Sequence, residues 1–188
     1  MSRYPLKYTG EIWRWNHPLV GAGPNAATFQ ISPERSIKFR TTGWGPFREI
    51  SKDDAAIHYL YSEHDSVQKL REMDISVPES IGVFTVPLKT LRTPYTLSRF
   101  GPRYFPGIVM RHIDGIFIGD APQERRRELE AMAFAEISKA IAAGLRVVGE
   151  YNPNKNVIWV PDTKGKGAGT IYLTGFSQLF SGSFEKKF

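Results

Sequence analysis

Apolar and polar residues follow two different periods along this chain. "HPLVGAGPNAATFQI" (17–31) begins apolar, passes through a glycine-rich stretch and then alternates, and "RSIKFRT" (35–41) alternates as a strand with one buried face does. "TTGWGPFREI" carries the Gly/Pro chemistry of a turn region. The period then changes. In "KDDAAIHYLYSEHDSVQKLREM", Ile57, Leu60, Tyr61, His64, Val67 and Leu70 recur at three- and four-residue steps. That spacing predicts a helix with one buried stripe, with Asp53 as its N-cap and its end before "DISVPES". Two strands follow, "IGVFTVPL" (81–88) and "FPGIVMRHI" (105–113), joined by the basic loop "KTLRTPYTLSRFGPRY", and "DGIFIGDAP" makes a connection. Residues 123–142 predict a second helix, with Leu129, Met132, Ala133, Ile137, Ala140 and Ile141 on one face and Gly144 at the C-cap. A polar loop (149–155), the strand "NVIWV", the turn "PDTKGKGAGT" and the strand "IYLTGF" complete the pattern. The expected class is α+β: a five-stranded antiparallel sheet interrupted by one helix, then a helix and a β-hairpin.

Composition narrows the function classes. The chain has 188 residues, enough for one domain or two small lobes, and its 41% hydrophobic and 23% charged content is that of a globular protein. Cysteine is absent, which excludes a disulfide framework and thiolate metal sites. The N-terminal "MSRYPLKYTGEIWRW" has no continuous apolar stretch of the kind a secretory signal needs, and no segment approaches a membrane span. A cytoplasmic protein with no membrane partner is expected. The net charge of +6 raises the question of nucleic acid. The basic residues are dispersed, and the dense Arg125-Arg126-Arg127 in "QERRRELE" is flanked by acids, as a solvated helix start would be. No nucleic-acid partner is expected.

The ordered segments resemble the protein-kinase-like fold, including its aminoglycoside-phosphotransferase and small-molecule-kinase relatives. "VGAGPNAATF" (20–29) is similar to a glycine-rich phosphate loop, with Gly21 and Gly23 admitting a close backbone approach. "SIKF" places Lys38 on the next strand, where the family keeps its ATP-positioning lysine. Glu63 in the following helix is the acid expected to pair with it, with Asp65 second. "GIVMRHIDG" (107–115) resembles the strand leading to the interlobe hinge, with Met110 at its end and Arg111–Ile113, His112 among them, offering backbone groups to an adenine. "AAGLRVVGEYNPNKNVIWV" and "IYLTGFSQL" parallel the family's helix, catalytic loop and metal-binding strand pair. The resemblance implies a kinase-like N-lobe at 1–113, a reduced helical C-lobe with a β-hairpin at 114–188, and ATP as cofactor.

The resemblance also assigns roles, and three of them are altered. Glu150 stands where the family has its acceptor-orienting Asp, Val148 where a His precedes it, and Asn156 where a metal-binding Asn belongs, one residue further from Glu150 than usual. Asn154 is the alternative, one residue short. "LTGFSQ" has Gly175 in place of the metal-binding Asp and Ser177 in place of Gly, which removes the principal magnesium ligand. The family's activation segment and helical platform have no counterpart. That leaves the apolar side of helix 123–142 short of cover, so a protein partner or a homodimer is expected.

Plainer readings stand beside these. Lys38 fits a surface lysine on an alternating strand, Glu63 a solvated helix acid, and Asn152, Asn154 and Asn156 fit turn formers around Pro153. His112 and His64 fit structural roles, His17 is not read as a metal ligand, and Trp13, Trp15, Trp44 and Trp159 fit core or interlobe positions. Three functions remain open. The first is a pseudokinase acting through binding of a nucleotide or other small-molecule ligand. The second is an atypical transferase with Glu150 as base. The third is an enzyme of another type that reuses the interlobe cleft, with Lys38, Glu63, His112, Glu150 and Tyr151 as its polar groups.

Overall fold

The computed structural model describes residues 4–12, 17–23, 25–42, 49–87, 104–142, 151–163 and 167–175. In chain order the strands are β1 (Leu6–Lys7), β2 (Leu19–Ala22), β3 (Ala26–Ser32), β4 (Arg35–Thr42), β5 (Glu49–Ile50), β6 (Ser80–Pro87), β7 (Tyr104–Arg111), β8 (Ile116–Phe117), β9 (Val157–Val160) and β10 (Thr170–Leu173). The helices are α1 (Asp54–Glu72), α2 (Gln123–Ala142) and the short α3 (Pro153–Asn156), with a single 3-10 turn at Ile118–Asp120. The protein is α+β. Its described residues fall into two units: Asp65 and the residues before it with Ser80–His112, and Ser66–Glu79 with Ile113 and the residues after it.

The first unit is built on a seven-stranded sheet in the order β1-β6-β7-β4-β3-β2, with β5 paired to β4. The expected five antiparallel strands correspond to β2, β3, β4, β6 and β7. Two strands were not expected, and β1 runs parallel to β6, so the sheet is mixed. The physical reason is length: β1 and β5 are two residues each, too short to show a period. Pro33 and Glu34 turn β3 into β4. Strand β3 alternates as expected as far as Ile31, but β4, expected to bury one face, is buried on both from Ser36 to Phe39, because α1 covers the second face. Ala27, Phe29, Ile31, Ile37, Phe39, Val86, Phe105 and Val109 are buried on one sheet face, with Tyr8 and Ile12 packed against them. On the other face Leu60 of α1 packs with Val83 and Ile108.

Helix α1 is stopped at both ends by its own sequence. The Asp53 carboxylate accepts from the Ala56 N–H at 2.6 Å, the N-cap bond. At the other end Asp74 adopts φ 56°, the Ile75 N–H reaches the Leu70 carbonyl at 3.0 Å and the Asp74 N–H reaches Arg71 at 3.0 Å. This is a Schellman cap, and Leu70 and Ile75 share one buried cluster as that motif requires.

The second unit packs α2 on a three-stranded antiparallel sheet, β10-β9-β8, so the expected hairpin gains β8 as a third strand. Leu129, Ala133, Ile137 and Ala140 of α2 are buried with Val157, Trp159, Ile171 and Leu173, and Val67 and Leu70 join them. Ile141 does not. It was expected on the buried face but is 51% exposed. The expected C-cap Gly144, the loop 89–103, Trp13, Trp15 and Trp44 lie outside the described residues. Among the described residues no helix is long and apolar enough to cross a membrane.

Strand β7 carries a glycine that sets the spacing of the larger core. A Cβ on Gly107 would stand 2.8 Å from Ile37 Cγ1 and 2.9 Å from Phe39 Cε1, two fully buried side chains. Gly107→Val is expected to lower the unfolding free energy by about 1–3 kcal/mol through overpacking, measured by urea denaturation.

Candidate functional site

Two places in the chain carry the chemistry, one in each unit. In the first, β4 turns Ser36, Lys38 and Arg40 to the same face, because strand side chains alternate. Each meets a partner. Ser36 Oγ is 2.8 Å from His112 Nδ1, the Lys38 ammonium forms an ion pair with Glu63, and the Arg40 guanidinium lies 4.3 Å from the centre of the Tyr59 ring. Lys38 is therefore a buried lysine and not a surface one, and Glu63 is its buried partner. The other Glu63 oxygen, Oε2, is buried and accepts no hydrogen bond among the described residues. Asp65 is partly buried and is not the partner.

Burial alone drives the Lys38 ammonium toward its neutral form. The Glu63 carboxylate, Tyr59 and the hydrogen bond to Glu63 outweigh it, and the pKa ends above the ordinary 10.5. A cation whose pKa is raised on folding stabilises the fold most below its unfolded pKa, about 10.4. That contribution is lost only as pH rises through the raised value.

The remaining expected residues of this unit sit as follows. Gly21 opposes Thr28 on β3, and Thr28 opposes Lys38 on β4, so the three form one row on one face. At about 4.8 Å per strand, Gly21 lies roughly 10 Å from Lys38 along the row. Gly23 closes the β2–β3 turn, donating its N–H to Ala26 at 2.9 Å, and a Cβ there would meet nothing within 4 Å. Met110 is partly buried against the Leu60 cluster. The backbone N–H of His112 donates to the Glu34 carbonyl at 2.8 Å, so that N–H is not offered to a ligand.

Sequence reading missed one group here. Ser80 Oγ lies 2.6 Å from His64 Nδ1, and Ser36 and Ser80 both pair in register with Met110, so two Ser–His contacts flank that methionine. Ser36 was legible from its two-residue spacing to Lys38. The link from His64 to Ser80 depends on how α1 packs and leaves no local signal.

The second place is the end of β10. Asn152 caps α3, its Oδ1 accepting from the Asn154 N–H at 3.0 Å. The Asn156 carbonyl gathers the Thr174 N–H at 2.7 Å, the Thr174 hydroxyl at 3.0 Å and the Tyr151 hydroxyl at 2.7 Å. Burial holds the Tyr151 phenol well above its usual range, so it remains a donor. Asn156 Nδ2 donates to the Asn152 carbonyl at 3.1 Å. Its amide oxygen faces Gly175, where an added Cβ would stand 2.3 Å away, and Gly175 itself has φ +72°.

The structure thus brings Asn156 and Gly175 together, the two positions where the resemblance implies metal ligands. Their donor set does not fit magnesium, which is held through carboxylates: Gly175 has no side chain and Asn156 supplies an amide. Among the described residues no group of three or more His, Asp or Glu side chains is placed to hold a metal. Glu150, Phe176 and Ser177 lie outside the described residues. Compared with models of known protein families and with curated protein sequences, the chain matches none.

Two predictions come from this geometry. Lys38→Met strands a carboxylate in the interior and is expected to cost about 3–5 kcal/mol in urea denaturation, while Lys38→Met with Glu63→Leu regains most of that loss. Gly175→Asp pushes a side chain into Asn156 at a left-handed backbone position. It is expected to cost about 1–3 kcal/mol and to gain no stability from added magnesium; Asn156→Ala in the same chain recovers part of the loss. A magnesium-dependent rise in melting temperature for Gly175→Asp would contradict this reading.

Proposed function

We propose that the protein is a degenerate kinase-like protein, a pseudokinase, that binds a nucleotide through the Lys38 face of its larger sheet and acts through binding. The buried Lys38–Glu63 ion pair carries the reading. A lysine on the strand after a glycine-bearing turn, joined to a glutamate on the next helix, is the pairing with which kinases position phosphates. The ammonium has three donors, and Glu63 engages it without exhausting them. Gly21 keeps its place in the row free of side chain, and Gly23 leaves open space beside the turn.

The second site supports binding over transfer. Phosphoryl transfer depends on neutralising phosphate charge with a cation held by carboxylates. Gly175 provides none, and the space a side chain would use is occupied by the Asn156 amide.

One observation favours a second reading, an enzyme of another reaction type. The Ser36–His112 and Ser80–His64 contacts lie on the sheet face that carries Lys38 and Glu63, within the hydrogen-bond reach that proton transfer needs.

Thermal unfolding with and without ATP, each with and without magnesium, separates the readings. Ligand that binds the native state stabilises it by mass action, about 2.7 kcal/mol at a ligand concentration of about 100 Kd. A rise with ATP that is the same with and without magnesium, and absent in the Lys38→Met, Glu63→Leu double variant, is the expected result. A rise that requires magnesium would favour an active phosphotransferase. No rise in either condition would remove nucleotide and leave the Ser–His groups as the chemistry to pursue.

A further inference from the structure

Helix α2 is apolar on two faces. The face bearing Leu129, Ala133, Ile137 and Ala140 is buried within its own unit. A second stripe, Ala131, Phe134, Ala135, Ser138, Ile141 and Ala142, is exposed, with Phe134 at 53% and Ile141 at 51%. These positions recur at three- and four-residue steps, so they lie along one side of the helix. Two large side chains stand among small ones, a surface with projections and recesses of its own. Isolated exposed apolar residues are ordinary, but an aligned stripe is the kind of surface that marks an interface.

We propose that this stripe seats a second copy of the chain, with the two α2 helices antiparallel. Charge selects that occupant and that direction. Lys139 and Glu128 lie on the same flank of the stripe, three turns apart, and both side chains are about half exposed. Across a two-fold axis relating antiparallel helices, residues of one flank meet residues of the same flank, so Lys139 of each copy faces Glu128 of the other. The antiparallel direction also brings the exposed Arg127 of each copy to the other's helix C-terminus, where a cation is favoured. A parallel pair forms neither contact. At that register the two-fold axis passes beside Phe134, so Phe134 of each copy stands against Phe134 of the other, with Ala131 facing Ala135. Each copy keeps its own Lys139–Glu136 and Arg125–Glu128 pairs within reach, so the inter-copy contacts extend existing charge networks. The surface is small for a stable interface, so a Kd on the order of micromolar is expected. This inference does not rest on the nucleotide reading, since it concerns a different unit and different residues.

Light scattering after size-exclusion chromatography of the full chain, over roughly a hundredfold range of concentration around that Kd, tests it. The expected result is a mass rising from one chain to two. Phe134→Glu is expected to hold the mass at one chain, since it sets two carboxylates against each other across the axis, while leaving the far-ultraviolet circular dichroism unchanged, because the position is exposed. Lys139→Glu is expected to weaken the dimer at least several-fold, and Lys139→Glu with Glu128→Lys to restore it. A wild-type mass of one chain at the highest concentration overturns the proposal. So does a dimer untouched by Phe134→Glu. Failure of the charge exchange to restore a dimer weakened by Lys139→Glu overturns the antiparallel register.

Discussion

An ammonium group in a protein interior has to be matched by an anion, and in this protein that demand fixes how α1 lies on the sheet. Lys38 is matched by Glu63, and two residues along the strand Arg40 is matched by Tyr59, four residues back along the helix. The two spacings are commensurate: two strand residues span about 6.8 Å and four helix residues about 6 Å. Strand and helix therefore run past each other in opposite senses with their polar partners in step. Slipping α1 by one residue would turn Glu63 away by about 100° and leave a buried charge alone. The Asp53 cap fixes where the helix begins, so the residue that meets Lys38 is set by local chemistry as well as by packing.

The two candidate sites are opposite in character. The first holds a charge with its counter-charge in place and one carboxylate oxygen unengaged among the described residues, a network that accepts another donor. The second is closed on itself. Asn156 spends its carbonyl on Thr174 and Tyr151 and its amide N–H on Asn152, and its remaining amide oxygen fills the space beside Gly175. The neighbouring asparagine occupies the room that a side chain would take.

Much of this was legible because its signals are local. The alternation of 35–41 gave β4 and the face of Lys38; the three- and four-residue steps gave α1 and α2; the Asp53 cap was readable from one residue. Elements of two residues were not legible, since a period cannot be seen in β1 or β5. Nor could the pattern rank the faces of α2, which carries apolar residues on two of them between Ala131 and Ala142. Ile141 was assigned to the wrong one, because only tertiary packing decides which stripe is buried. The contact of Ser80 with His64 and the approach of Asn156 to Gly175 join residues far apart in the chain, and sequence spacing says nothing about either.

The Asn156 carbonyl has a dynamic meaning as well as a static one. A single oxygen receives the Thr174 amide, the Thr174 hydroxyl and the Tyr151 hydroxyl, and so ties the chain on both sides of the β9–β10 hairpin to one point. The Tyr151 bond holds that oxygen in place on the near side, and the two Thr174 bonds cross the hairpin; losing one of these leaves the other, and the segments separate only when both go together. Local opening there is concerted, so the slow exchange of the Thr174 amide with solvent deuterium would report the unfolding of the whole hairpin base and not the fraying of a strand end.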